Sequence, residues 1–242
     1  LAARRAYAEL ERVAQYLQRY RDIEQLREEA LYLGTTHILV RMRQDAPVAL
    51  PRAFEQELTA LAVQDLNTRW KVYHTRPVEE VAYDYEVVMR INRIEVSPGI
   101  IREREYEESA IVEDGWEYLL DEQGNVAKDS LGNDIKVARE VQARAWVLEN
   151  YQHKTAQVGG RLEFYDRATD NLIHSEPLFA EAVFENYAAT FRGDKRALSK
   201  QSRQRIGNQP VPFPPEEALL LQVVEQLKPF IKREIASTRR MI

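Results

Sequence analysis

The longest alternation of hydrophobic and polar positions runs through Val141–Phe184. Val141, Ala143, Ala145 and Val147 fall on one side of an extended chain, and Ala156, Val158, Gly160, Leu162 and Phe164 resume the pattern in a second segment. A period of two marks half-buried strands. The turn-forming stretch Asp166–Asn171 interrupts it, and Leu172, Ile173, Leu178, Phe179, Val183 and Phe184 form a third run. The pattern predicts an antiparallel meander of strands 141–147, 156–164 and 172–184 that supplies the main sheet. Within it, Gly159–Gly160 predicts a bulge or a close backbone approach, not a phosphate loop, because the lysine and spacing of a P-loop are missing.

Residues 1–33 switch to helical spacing. Ala3, Ala6, Leu10, Val13, Leu17 and Tyr20 fall on one stripe, and Ile23, Leu26, Ala30 and Leu33 on another. A break is expected at Tyr20–Asp22, with Asp22 capping the second helix and Gly34 ending it. Two short helices with Tyr7, Tyr16 and Tyr20 resemble the last unit of a tetratricopeptide-type array; the alternative is a simple helical extension. Such a pair cannot bury its apolar face alone. Thr35–Arg43 reads as a strand. Pro51 opens a helix to about Leu66, with Phe54, Leu58, Leu61, Ala62 and Leu66 on one side. Trp70–His74 and Tyr85–Val96 are two more strands, the second closed by Pro98–Gly99. Beyond the meander, Asp194 caps a helix over Lys195–Ile206, and residues 207–215 form an extended proline-rich linker. Glu216–Ile235 is a final helix that Pro229 should kink or split.

Residues 100–136 fit neither period cleanly. Charged residues alternate with Ile, Tyr and Val, and two turn signatures follow, Asp121–Asn125 and Asp129–Asp134. We expect a β ribbon projecting from the main sheet. The resulting fold class is α+β: a mostly antiparallel sheet with the helices of 51–66 and 216–235 packed on one face. The expected organisation is a helical appendage over 1–34 and an α+β sandwich over 35–242 that carries the ribbon.

Composition narrows the function classes. A chain of 242 residues with 44% hydrophobic and 30% charged residues has a globular balance. A net charge of -5 argues against a general nucleic-acid-binding surface. The absence of cysteine excludes disulfides, thiolate nucleophiles and cysteine-based zinc sites. No apolar run approaches the ~20 residues that span a bilayer. The first residue is Leu1, so a processed chain is expected, with a lost secretion signal or lipid-bearing cysteine open as an expectation.

Several segments carry a resemblance. ILVRM, FEQELTALAVQDL and WKVYH look like the opening β-α-β unit of certain bacterial envelope proteins. YDYEVVMRINRIEV resembles a strand of the same families, and GGRLEFYDRATDNLIHSEP resembles their hairpin, with Asp170–Asn171 where a glycine is usual. There, Asn171 is expected to adopt the left-handed geometry. The families are the periplasmic domain of the curli secretion channel, the lipoprotein activators of penicillin-binding proteins, and the amino-terminal domain of TolB. The resemblance spans about 35–235. It implies a periplasmic or outer-membrane-associated protein that binds other envelope proteins, has no catalytic residues and no cofactor, and is held through a lipid anchor. The membrane-crossing segments of the curli channel have no counterpart, so no pore is expected.

The residues offer little chemistry. His37, His74, His153 and His174 lack ligand spacing; His74 and His153 could hold a metal only if the fold joined them to a carboxylate. His37 is expected at a strand start and His153 in a polar turn. The two Asp-rich turns are oxygen-rich but lack EF-hand spacing, so hairpin turns are expected rather than calcium sites. Ser175 and Ser199 have no adjacent His–Asp signature. Tyr187 and Phe191 are expected under the terminal helices. No catalytic, cofactor or metal residues are assigned. Trp116, Tyr118, Ile111 and Leu119 are the partner-binding candidates, because apolar side chains on a charged ribbon suit an interface anchor; the alternative is a cross-strand pair that merely holds the hairpin. The expected function is a non-enzymatic adaptor or assembly factor of the cell envelope. The alternatives are an accessory structural subunit of a membrane-associated complex, or an enzyme with a site in the sheet–helix groove.

Overall fold

The computed structural model describes residues 1–16, 22–48 and 51–237. The expected break at Tyr20–Arg21 lies outside them. The chain forms two compact units, one made of residues 1–97, 155–183 and 214–242, the other of 98–154 and 184–213.

In the first unit, α1 (Ala2–Tyr16) and α2 (Ile23–Gly34) form the expected helical pair. Asp22 sits at the α2 N-cap, but its side chain makes no capping hydrogen bond. Gly34 is the last residue of α2, and its glycine character serves packing: an added Cβ would stand 2.8 Å from the Trp70 ring. Arg4 ties the pair to the next strand, donating from Nε to the Gly34 carbonyl at 2.8 Å and from Nη2 to Thr36 Oγ1 at 2.9 Å. Tyr7 meets Trp70 edge-on.

The sheet of this unit is mixed. β1 (Thr36–Gln44) pairs in parallel with both β2 (Lys71–His74) and β3 (Tyr85–Val96). β3 then pairs antiparallel with residues 156–166 of β5 (Lys136–Asp166), and β6 (Asn171–Gly193) pairs with β5. The expectation of a mostly antiparallel sheet is therefore corrected: β1-α3-β2 is a crossover unit, and a crossover brings its strands together in parallel. The crossover helix α3 is shorter than its apolar stripe suggested, Arg52–Thr59 with Pro51 at the N-cap, and a 3-10 turn follows at Gln64–Leu66. Beyond Thr59, Leu61 of the stripe is still buried but Ala62 is exposed and Leu66 half-buried, while Val63, off the stripe, is buried, as fits a chain that has left the helix.

One face of this sheet is apolar. Ile38 and Val40, Val87 and Met89, and Leu162 and Phe164 are buried there, together with Phe54 and Leu58 of α3. α5 (Glu216–Ser237) packs on α3 and adds Val223, Leu227, Ile231 and Ile235. α5 runs unbroken through Pro229, against the expected split. The ~3 kcal/mol that proline costs a helix interior is outweighed because Leu227 and Ile231, on either side of it, are both fully buried.

The largest correction concerns the meander. Residues 141–147 and 156–164 are not two strands joined by a turn; both belong to the 31-residue β5. Its buried positions are odd-numbered up to Glu149 and, apart from Gly159 and Glu163, even-numbered from Gln152. That change of parity, across polar residues, imitates a turn in the sequence. Glu149 and Gln152, the two buried polar residues there, find partners within the second unit. Gln152 donates Nε2 to the Val211 carbonyl at 2.8 Å and accepts from the Val211 N–H at 2.9 Å; Glu149 pairs with Arg205.

At the β5–β6 turn it is Asp170, not Asn171, that takes the left-handed conformation, φ +52°; Asn171 already begins β6. Aspartate tolerates that region because its short side chain bonds locally, here to Arg167 at 2.9 Å.

In the second unit, β4 (Ile100–Tyr118) pairs antiparallel with 136–153 of β5. The expected helix at Lys195–Ile206 is split into a 3-10 turn, Lys195–Ala197, and α4, Lys200–Arg205. Asp194 caps the first, as expected, and Ser199 caps the second. Ala143, Ala145, Val147, Ala189 and Leu198 form a small core, with Phe191 packed against it. Tyr187 and Phe191 thus lie within β6 and not after it.

Candidate functional site

Residues 100–136 begin as a strand, as expected. Their first half is β4, bonded along its length to β5 from Ile100↔His153 to Tyr118↔Lys136. The register shifts between Glu113 and Trp116, where Asp114 and Gly115 stand opposite the single residue Arg139. Gly115 has φ +80°, the geometry glycine supplies at such a bulge. Asp114 fastens it, accepting from Arg139 Nη2 at 2.9 Å and Arg196 Nη1 at 3.1 Å. Those two guanidiniums, Arg196 first, hold its carboxyl below the ordinary 3.8.

The bulge decides which residues share a face. Registered partners point the same way across a ladder, and one inserted residue shifts the parity. Ile111, Trp116 and Tyr118 therefore lie on the face that carries Trp146 and Leu148 of β5. Trp116 and Tyr118 meet edge-on, 5.0 Å between ring centroids. They are neighbours on one strand, not the cross-strand pair considered as the alternative. The cross-strand element is Lys136, whose Nζ lies 3.6 Å from the Trp116 ring centre, a cation–π contact. Trp116 remains 51% exposed, Tyr118 41%, Leu119 42% and Ile111 72%.

The end of the ribbon is built from two aspartate turns. Asp121 Oδ1 accepts from the backbone N–H of Gln123 and Asn125, and Asp129 Oδ1 from those of Leu131 and Asn133. Both carboxyls are held below the ordinary range chiefly by these backbone donors, from Asn125 and Asn133 respectively. They act as turn-formers, as the sequence predicts. Between them, Leu119 N–H donates to the Ile135 carbonyl and Ala127 N–H to the Leu119 carbonyl. This folded end presents Leu120 and Leu131, the latter 85% exposed. Over 111–136 there are two lysines and seven acidic residues, a net of −5 (2 − 7). The site is an apolar surface in an acidic border.

No protein-family model matches the chain, and no curated protein matches it. Among solved structures, the chain is similar to a crystal structure of a neuraminyllactose-binding hemagglutinin homolog from Helicobacter pylori, with a TM-score of 0.38 and 11% identity, covering 85% of each chain. At that score the likeness carries no argument.

The sequence reading missed Trp146 and Leu148. The signal was present: if Ala143, Ala145 and Val147 face inward, 146 and 148 must face outward. Arg192 covers Trp146 at 5.6 Å and reaches Glu105 at 3.1 Å. His153, expected in a turn, lies inside β5 beside Tyr151. Among the described residues no group of three or more His, Asp or Glu could hold a metal.

His74 is paired with His37 instead, His37 Nδ1 to His74 Nε2 at 3.2 Å. Burial, and then His37, lower the His74 pKa from 6.5. A lowered histidine pKa means that the unfolded chain takes up the proton first, so stability is lost as pH falls below 6.5. Urea titrations between pH 7.5 and about 5.5 should show a larger fall in midpoint for the wild type than for His74→Gln. Equal falls would remove the pair as the cause.

Proposed function

We propose that the chain is a non-enzymatic interaction protein that holds a partner protein through the end of the β4/β5 ribbon. The observation that supports this reading is the exposure of Trp116 and Tyr118 side by side, on a strand end fixed by a clamped bulge. Aromatic anchors on a rigid element lose little entropy on binding. The acidic border suits a partner whose own apolar patch is rimmed by lysine or arginine, which makes association faster at low salt. The cell-envelope setting, with an adaptor or assembly role there, rests on the sequence resemblance of 35–235 alone.

The test is the double variant Trp116→Ala/Tyr118→Ala. A partner captured by the wild type from native extract or membranes should be retained at least ~100-fold more weakly, since two anchors of about 2 kcal/mol each are removed. Val78→Ala, at an exposed apolar residue that is not part of the ribbon, should keep full retention. If the folded double variant recovers the same partner at the same yield, the ribbon is not the docking site.

A further inference from the structure

The first unit has a second sheet face, opposite the apolar one, and it carries a row of arginines. Strand register sets Arg43 beside Arg90 and Arg90 beside Arg161, across β1, β3 and β5. Like charges directly opposite one another on neighbouring strands are destabilising, so the row needs anions around it. Asp45 bridges two members, accepting from Arg43 Nε at 3.0 Å and from Arg90 Nη1 at 2.5 Å. Glu163 takes Arg90 Nε at 3.0 Å, and the Ser175 hydroxyl takes Arg161 Nε at 2.8 Å.

Beside this row Glu86 is only 4% exposed. Arg41 bonds one of its oxygens through Nε and Nη2, and Arg167 reaches the other at 3.4 Å. A buried carboxylate contributes little net stability by pairing. What it does is fix the two guanidiniums in place. The surface these residues line is a groove of about 610 Å³, within the range of small-molecule sites. Its lining holds four arginines, 41, 43, 90 and 167, against Glu86 and Asp170, +2 (4 − 2), and counting Asp45 and Glu163, which pair with Arg43 and Arg90 from outside the lining, brings the balance to 0 (4 − 4).

We propose that this groove binds a compact ligand bearing two or more oxyanion groups, carboxylate or phosphate. Every cation in the lining is arginine, whose planar fork suits bidentate recognition of an oxyanion and is not interchangeable with lysine. Each is held by a carboxylate in advance, so binding costs little ordering entropy. Arg41 directs two nitrogens to Glu86, which leaves Nη1 for a ligand.

The test is calorimetry of the full chain with citrate and, separately, inorganic pyrophosphate, each at two salt concentrations. At least one probe should bind saturably and raise the melting temperature with its concentration; the probe that binds tells carboxylate from phosphate. Arg41→Gln/Arg167→Gln should weaken it about 10–100-fold, and Arg5→Gln, at an exposed residue of α1 that does not line the groove, should leave it unchanged. Where the double variant fails to fold, Arg43→Gln decides, because Asp45 keeps Arg90; it should still weaken binding several-fold. No saturable binding of either probe up to about 10 mM, or unchanged binding in the folded variants, overturns the proposal.

Discussion

Gly160→Ala is expected to abolish the native first unit, while Gly159→Ala leaves it nearly intact. A Cβ at 160 would stand 2.1 Å from the Arg90 carbonyl oxygen and 3.1 Å from Ile91 Cα. Both obstacles are backbone of the paired strand β3, so no side chain can swing away. Relief requires β3 and β5 to separate where Ile91 pairs with Gly160 and the register shifts, and ladder hydrogen bonds between buried strands would be lost. The expected destabilisation is ~4 kcal/mol or more, in the range reserved for such local conflicts. At 159 the same Cβ would meet Arg93 Cβ at 3.4 Å, an ordinary contact. Urea denaturation of the two variants checks this, and similar midpoints for both would contradict the reported approach of β3 to Gly160.

Phe54→Ala should follow at about 3–5 kcal/mol. Phe54 is fully buried, and Leu58 below it on α3 is buried as well. The benzyl group is buried beneath α3, which packs on α5, and eight residues of α3 (Arg52–Thr59) offer little scope for the helix to collapse into the void. The ion pair of Lys228 with Glu57 at 2.7 Å holds the same two helices at the surface, where it contributes at most about 1 kcal/mol. Phe54→Leu should retain most of the lost stability, and Glu57→Gln should cost almost nothing. A denaturation series in which Glu57→Gln matches Phe54→Ala would show that charge and not packing joins α3 to α5.

Tyr85–Val96 is β3 as expected, because its apolar alternation through Ile91 resumes at Ile94 across only a one-residue register shift. The aspartate turns were legible too, since their local hydrogen bonds need no tertiary partner. The failures share a cause. β5 changes its buried side over Glu149–Gln152 using polar residues, and these are buried only because Arg205, Val211 and Asn186 meet them. Partners distant in sequence leave no periodic trace, so a continuous strand looked like two. Pro229 does not split α5, because burial on both sides of it overrides propensity. The ribbon candidates Ile111, Trp116, Tyr118 and Leu119 were legible as apolar residues in a charged stretch. Their common face with Trp146 was not, since it depends on a bulge that only the register reveals. The arginine row escaped for the same reason: Arg43, Arg90 and Arg161 are neighbours through pairing alone.

The docking surface is tested most directly by placing a photo-crosslinking amino acid at single positions and irradiating in native extract or membranes. Tyr118 and Leu131 probe the ribbon end, while Tyr32 on α2 and Phe179 on β6, both more than half exposed, probe surfaces outside it. The predicted result is one and the same partner protein joined at 118 and at 131 and absent at 32 and 179. Capture of that partner from position 32 or 179, with 118 and 131 silent, would contradict the assignment of the ribbon as the binding site.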